Sequence, residues 1–291
     1  MLFQMYWPYF LVGLVVYVVM RVGFSTWMGM KEKKRLGMGK KTDDMIQEEN
    51  LESSDSESPK EEDDVSPALP KDLKHIPLNF EKLSEEEAHL RSTQFFESMN
   101  KRRTVRHFST KPVPKEIICN IIKTAGTAPS GAHTQPWTYV VVSSPEMKQN
   151  VREIIEDEEE INYKKRMGKV WTTDLEPLKT NWIKEYLTEA PYLILIFKQT
   201  YSFRENGRKK LHYYNEQSVS IAAGILLAAI HYAGLVSLTS TPLNCGPALR
   251  NLLGRPSNEK LSLLLPVGYP AEECLVPDLQ RKPLDEIMIE F

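Results

Sequence analysis

The sequence predicts an α+β domain, a central mixed sheet flanked by helices, behind an N-terminal membrane anchor. Three observations carry that reading. Helical and extended patterns interleave from about residue 75 to the C-terminus, as in domains that cover a sheet with helices. Tyr192–Phe197 is an unbroken run, Tyr-Leu-Ile-Leu-Ile-Phe, which suits a strand buried on both faces. Ser218–Ala233 is apolar nearly all round, with small residues spaced through it, and reads as a core helix against which other helices or a partner subunit pack.

Taken in order, residues 5–20 are uncharged and apolar, and with their flanks they approach the ~20 residues a bilayer requires. A cleaved signal peptide is the alternative, but no basic stretch precedes the run and no small-x-small cleavage site follows it. Arg21, Lys31, Lys33, Lys34, Arg35, Lys40 and Lys41 lie on the C-terminal side, so the positive-inside rule puts the remainder in the cytosol. The expectation is a single-pass protein of the plasma membrane or a cytoplasmic vesicle membrane. From Thr42 to about Lys74 the chain is acidic, rich in Ser and Pro and poor in large apolar residues, which cannot offset the entropy of ordering. Three regions result: an anchor at 1–24, a basic juxtamembrane segment with a disordered tether at 25–74, and a catalytic domain at 75–291.

Within that domain Ser84 and Glu87 form a capping-box pattern ahead of a helix running to about Asn100. A second helix fits Pro114–Ala125, with proline in its first turn and Gly126 as its stop. Thr138–Val142 reads as a strand and Glu146–Lys165 as a long charged helix; strands at Val236–Thr239 and Leu261–Val267 follow the apolar helix.

Several function classes are excluded. A net charge of −2 does not suit a nucleic-acid binder. Cys119, Cys245 and Cys274 are too far apart for a Cys-x-x-Cys pair, and an odd count argues against a disulfide framework. The six histidines show no metal-ligand spacing, and there is neither a Walker loop nor a Gly-x-Gly-x-x-Gly after a strand. A built-in nicotinamide domain is therefore not expected, and any electron donor must reach a bound cofactor transiently.

Two segments carry chemistry instead. Arg102-Arg103-Thr104-Val105-Arg106 places three guanidiniums within five residues, which suits a phosphate needing planar, bidentate donors. Ala128–Trp137 is a small-residue turn through which backbone N–H groups can approach a flat ligand. An exposed basic patch and an ordinary surface loop would leave the same marks. Together with Gly268-Tyr269-Pro270 and Arg281-Lys282-Pro283-Leu284, however, these segments resemble the nitroreductase superfamily of flavoproteins, over residues from about 75 to 291.

The resemblance implies an intertwined homodimer with FMN held noncovalently at its interface. It matches Arg102, Arg103, Thr104, Val105 and Arg106 to the segment at the FMN phosphate and flavin edge. Ser130 matches a flavin contact, and Arg281 a C-terminal arginine on the phosphate. Thr239, Ser240 and Thr241 match the stretch that approaches the flavin. Thr241 is the candidate for a hydroxyl on flavin N5, which favours one-electron steps over hydride transfer; a turn-capping threonine is its plain alternative. The resemblance is to the branch of that superfamily that removes iodide reductively from mono- and diiodotyrosine, with electrons ultimately from NADPH. In that branch Glu159, Tyr163 and Lys184 match the positions that grip the substrate's ammonium and carboxylate, and Ala132 the backbone N–H that holds its phenolate. Glu159 and Tyr163 are four apart and share one helix face; Glu159 alone, in an acidic run, would read as solvated surface. Residues 156–177 are polar enough to form a lid that orders on substrate. Two alternatives stay open: a general FMN-dependent nitro or quinone reductase, and a tethered interaction protein that has lost its cofactor.

Overall fold

The computed structural model describes residue 67, residues 69–204 and residues 207–291; the anchor, the basic segment and most of the tether lie outside them. The unit that holds the described residues runs from Asp63 to Phe291. Its centre is a four-stranded sheet of order β1-β2-β6-β5, with β1 at Trp137–Val142, β2 at Tyr192–Gln199, β5 at Val236–Ser237 and β6 at Glu259–Gly268. Strands β3 (Tyr201–Phe203) and β4 (Lys209–Leu211) form a separate hairpin. Among the described residues four helices exceed ten residues: α1 at Glu85–Asn100, α2 at Lys115–Ala125, α3 at Pro145–Ile161 and α4 at Asn215–Tyr232.

The run in β2 works because strand side chains alternate. Leu193, Leu195 and Phe197 enter one core with Val151 and Ile155 of α3, while Ile194 and Ile196 enter the other with Ile118 and Ile121 of α2 and Val219 and Leu226 of α4. Helices thus cover both faces, and every one of these five strand residues is sealed from solvent. Truncating Leu195 to alanine removes packing at a site with no room to relax, a loss of about 2–5 kcal/mol.

All neighbouring strands of this sheet pair antiparallel. The expected mixed sheet is present only at its edge, where Thr104 forms a parallel bridge with Ser237 and Val105 donates its N–H to the Ser237 carbonyl at 3.2 Å. The arginine segment is therefore a fragment of edge strand. Just beyond it, Ser109 donates to the Tyr269 carbonyl at 2.9 Å and Ala271 to the His107 carbonyl at 3.0 Å. Gly268 opens that second pairing: a β-carbon there would lie 2.5 Å from Cδ of Pro191 and 3.4 Å from the Phe108 ring.

The α1 cap forms as expected, with Ser84 Oγ accepting from Glu87 N at 3.2 Å. Gly126 ends α2 in an ordinary right-handed conformation, whereas Gly234 after α4 takes φ 73°. The charged helix expected to reach Lys165 stops as α-helix at Ile161 and continues as one π-helical turn, Asn162–Arg166. Among the described residues no helix is long and apolar enough to cross a membrane, and residues 5–20 lie outside that set.

α1 buries none of its side chains, and α4 leaves Ile221 and Tyr232 exposed. Ile76, Leu78 and Phe80 before α1, and Leu275, Leu284, Ile287, Ile289 and Phe291 in the C-terminal tail, are exposed as well. That is much more apolar surface than scattered single residues would give.

Candidate functional site

Where α1 ends, its C-terminal turn hands the chain to the sheet edge, and the alternation there sorts the arginine segment. Val105 points into the core at 4% exposure, while Arg102, Arg103, Thr104 and Arg106 are half-buried. Val105 can therefore serve a ligand only through its backbone, and its N–H is already engaged by Ser237. Arg281 returns from the far end of the sequence to donate from Nη2 to the Arg102 carbonyl at 3.2 Å. Arg103 Nη1 donates to the Asn100 carbonyl at 2.6 Å. Burial, then the neighbouring charges of Arg281 and Arg103, push the Arg102 guanidinium below its usual range.

Among the described residues, none of Arg102, Arg103, Arg106 and Arg281 is ion-paired to a carboxylate. Like charges held this close call for an anion. All four line one hollow of ≈ 130 Å³, roofed by Val276 and Pro277. It shares Thr104, Arg106, Leu178, Val276 and Pro277 with a cavity of ≈ 580 Å³ that runs on past Thr180, Ile183 and Tyr186. A phosphate end opening into a larger, mixed-polarity cavity matches the donor set and proportions of a flavin mononucleotide.

The second group of residues sits at the end of α3. Glu159 and Lys184 face each other at 3.6 Å, with side chains 12% and 9% exposed. Lys184 Nζ stands 5.3 Å over the Tyr163 ring and also donates to the Asn181 carbonyl. Its backbone N–H donates to Glu156 Oε1 at 2.5 Å, which fixes the loop against the helix. Burial lowers the Lys184 ammonium below its usual range, against the pull of Glu159. Tyr163 packs edge-on to Trp182 at 6.1 Å, and burial raises its phenol. Arg106 acts electrostatically on both Tyr163 and Lys184, so it links the guanidinium hollow to this trio.

The stretch Thr239-Ser240-Thr241 alternates like a strand. Ser240 pairs its backbone with Leu264 in both directions at 2.9 Å, and its side chain is hydrogen-bonded to Tyr186. Thr239 and Thr241 lie on the opposite, exposed face. The hydroxyls available to a ligand are therefore those of the two threonines.

The small-residue turn is strained. Ala132, His133 and Gln135 all have positive φ (46°, 55° and 47°), at about 1–3 kcal/mol each for non-glycine residues. Ser130 pins it, its Oγ accepting from Gln135 N at 2.9 Å, and Gly131 N donates to Ser218 Oγ of α4 at 3.4 Å. A β-carbon on Gly131 would come within 3.1 Å of the Tyr213 carbonyl. Successive N–H groups in such a turn form a concavity suited to an anion. Ser130 and Ala132 line neither cavity. One chain therefore gathers the arginines with Arg281 and the Glu159 trio around Arg106, but not the turn.

Sequence patterning missed Tyr186, which is buried with its phenol raised by desolvation and faces Glu159, Arg106 and Tyr163. It also missed Asn162, 1% exposed. The signal was there for the second: Val151, Ile155 and Asn162 fall on one helical stripe, so an amide occupies an apolar position.

A family model described as "Nitroreductase family" matches residues 99–269. The chain is 59% identical over 244 residues to "Iodotyrosine deiodinase 1" of Homo sapiens, covering 84% of each. It is 66% identical over 216 residues to "Iodotyrosine deiodinase" of Hydra vulgaris, covering 74% of this chain and 79% of the other. Among solved structures it is similar, at 30% identity and TM-score 0.59, to oxidized iodotyrosine deiodinase bound to FMN and 3-iodo-L-tyrosine, over 68% of this chain and 98% of that one. Fold, site and similarity agree: the chain belongs to the nitroreductase family, in its iodotyrosine deiodinase branch.

Proposed function

We propose that this protein uses FMN to remove iodide reductively from mono- and diiodotyrosine, yielding tyrosine and iodide. The observation that carries the reading is the sealed Glu159–Lys184 pair beside an arginine-lined cavity. Free iodotyrosine is a zwitterion, and this pair offers each of its charges a partner already stripped of water. Its ammonium replaces Lys184 on Glu159, and its carboxylate meets Lys184 and the Tyr163 hydroxyl. The desolvation penalty of both protein charges is met by the fold before the ligand arrives.

Arg102, Arg103, Thr104, Arg106 and Arg281 would hold the FMN phosphate and flavin edge. Thr239, Thr241 and Ser130 supply hydroxyls to the ring system. When bound, the flavin supplies the reducing electrons. The protein's own tasks are to lay the phenol ring in place, to receive the phenolate oxygen at the Ala132 backbone, to present the Thr241 hydroxyl, and to exclude water with residues 156–177. A general nitro or quinone reductase has no need of a zwitterion grip, so the buried pair disfavours that alternative.

Three further parts belong to the proposal. Two copies of the chain assemble the site, which accounts for a turn apart from both cavities and for the exposed apolar faces of α1, α4 and the tail. Residues 5–20 anchor the protein to a membrane with the catalytic domain in the cytosol. Electrons come ultimately from NADPH, delivered from outside, since the sequence carries no nicotinamide-binding fingerprint. The test is spectroscopic. The purified protein should carry flavin absorbance, and 3-iodotyrosine should perturb it saturably; a colourless protein sinks the reading.

A further inference from the structure

The grip on the substrate and the stretch bearing Thr241 come from distant parts of the sequence, and one buried side chain touches both. Asn162 is 1% exposed and opens the π-helical turn after α3. Such turns are rare and concentrate at functional sites. Its Nδ2 donates to Glu159 Oε1 at 3.4 Å and to the Leu243 carbonyl at 3.3 Å. Its Oδ1 accepts from Asn244 Nδ2 at 3.3 Å and from Arg166 Nη1 at 3.0 Å. Leu243 and Asn244 follow Thr241 and Pro242 directly, and Asn244 holds φ 63°, so little slack separates them from Thr241. Behind the loop Cys245 is fully buried and closes the core.

Only a carboxamide supplies two donors and an acceptor on one short stem. The contacts to Glu159 and to the loop are long for hydrogen bonds, so their balance is adjustable. Glu159 divides its carboxylate, one oxygen 3.6 Å from Lys184 and the other shared with Asn162. A new cation on Glu159 changes that division, and the amide passes the change to Leu243 and Asn244.

We propose that Asn162 is a positioning residue that couples occupation of the Glu159 carboxylate to the placement of the Thr241 loop. The inference rests on the zwitterion-binding role proposed above for Glu159.

The experiment uses the full FMN-loaded chain and 3-iodotyrosine. In wild type, iodotyrosine protects peptide 239–245 from hydrogen exchange. In Asn162→Ala the ligand still binds, within about tenfold of wild type, but that protection is lost and kcat falls at least about tenfold, since small misplacements near the chemistry are costly. Asn244→Gly, at an exposed residue whose φ of 63° glycine accepts, removes one of the two loop contacts and leaves Asn162 only the Leu243 carbonyl, so it weakens the same link from the loop side and decides the matter if Asn162→Ala does not fold. Protection of 239–245 retained in the folded variants, with kcat within twofold, overturns the proposal. A wild-type chain that binds no iodotyrosine contradicts the proposed function itself, and this coupling with it.

Discussion

Lys184 and Glu159 lie 3.6 Å apart in surroundings that leave their side chains 9% and 12% exposed. The contrast with Lys164 and Glu160 on the same stretch is instructive: that pair is closer, at 2.5 Å, yet about half-exposed on both sides. An exposed pair contributes about 0–1 kcal/mol, whereas leaving one charge of a buried pair uncompensated costs about 3–5 kcal/mol. Only the first pair has an energetic stake large enough to select a ligand.

Replacing Glu159 with glutamine keeps the shape and removes the charge. A hydrogen bond to a charged group is worth about 1.5–3 kcal/mol, so iodotyrosine affinity should fall about 10- to 100-fold. Reduction of an uncharged quinone by the same variant should change much less. Titration of wild type and the variant with iodotyrosine, beside a quinone assay, separates the two effects; equal loss for both substrates would mean general damage.

Thr241 is exposed and its neighbour Ser240 is committed to Tyr186, so removing the Thr241 hydroxyl should spare the fold. Thr241→Ala should retain FMN and lower kcat for deiodination by about tenfold or more. Wild-type kcat in that variant would hand the role to Thr239.

Residues 156–177 combine an α-helical end, a π turn and a short helix at Lys169–Leu175 that buries none of its side chains. Val170 and Trp171 are exposed there. The Glu159–Lys184 pair and Asn162 hold its N-terminal part, but few apolar contacts hold residues 167–177, so local stability is low there. Saturating iodotyrosine should slow its hydrogen exchange by about tenfold, and unchanged exchange would rule out a lid.

His212 gives the domain an acid sensitivity. It is buried, with Nδ1 3.2 Å from the Gln199 carbonyl and Nε2 2.9 Å from Ser202 Oγ. The carbonyl can only accept, so Nδ1 carries the proton and neutral Nε2 accepts from the serine. Burial chiefly, with Lys210 adding to it, holds the imidazole below its usual value of 6.5. The unfolded chain therefore binds the extra proton first: stability is unaffected above the unfolded value and falls as pH drops from there towards the folded one. Thermal melts of wild type and His212→Gln across that window should converge at low pH; parallel curves would contradict the assignment.

What could be read in the sequence followed from local rules. Ser84 capped α1, the β2 run was a strand because its alternate residues reach two cores, and the grouping of Arg102, Arg103 and Arg106 survived folding because they share one half-buried edge. What could not be read depended on register and distance. Val105 belonged to the core because the edge bridge with Ser237 fixed its face, and Ser240 went to Tyr186 for the same reason. The roof at Val276 and Pro277 has no periodic pattern; the pairing of Ala271 with His107 on one side and the return of Arg281 to Arg102 on the other bring it over the site. The long charged helix concealed its π turn, and Asn162 was legible only through the stripe it shares with buried Val151 and Ile155, since charge density alone does not say which positions are buried.

Iodide release tests the central claim most directly. The FMN-loaded protein, reduced with dithionite and mixed anaerobically with 3-iodotyrosine, should yield iodide and tyrosine in equal amounts, and Glu159→Gln should need about 10- to 100-fold more substrate for the same rate. Reoxidation of the flavin without iodide, or release indifferent to Glu159, would contradict the account.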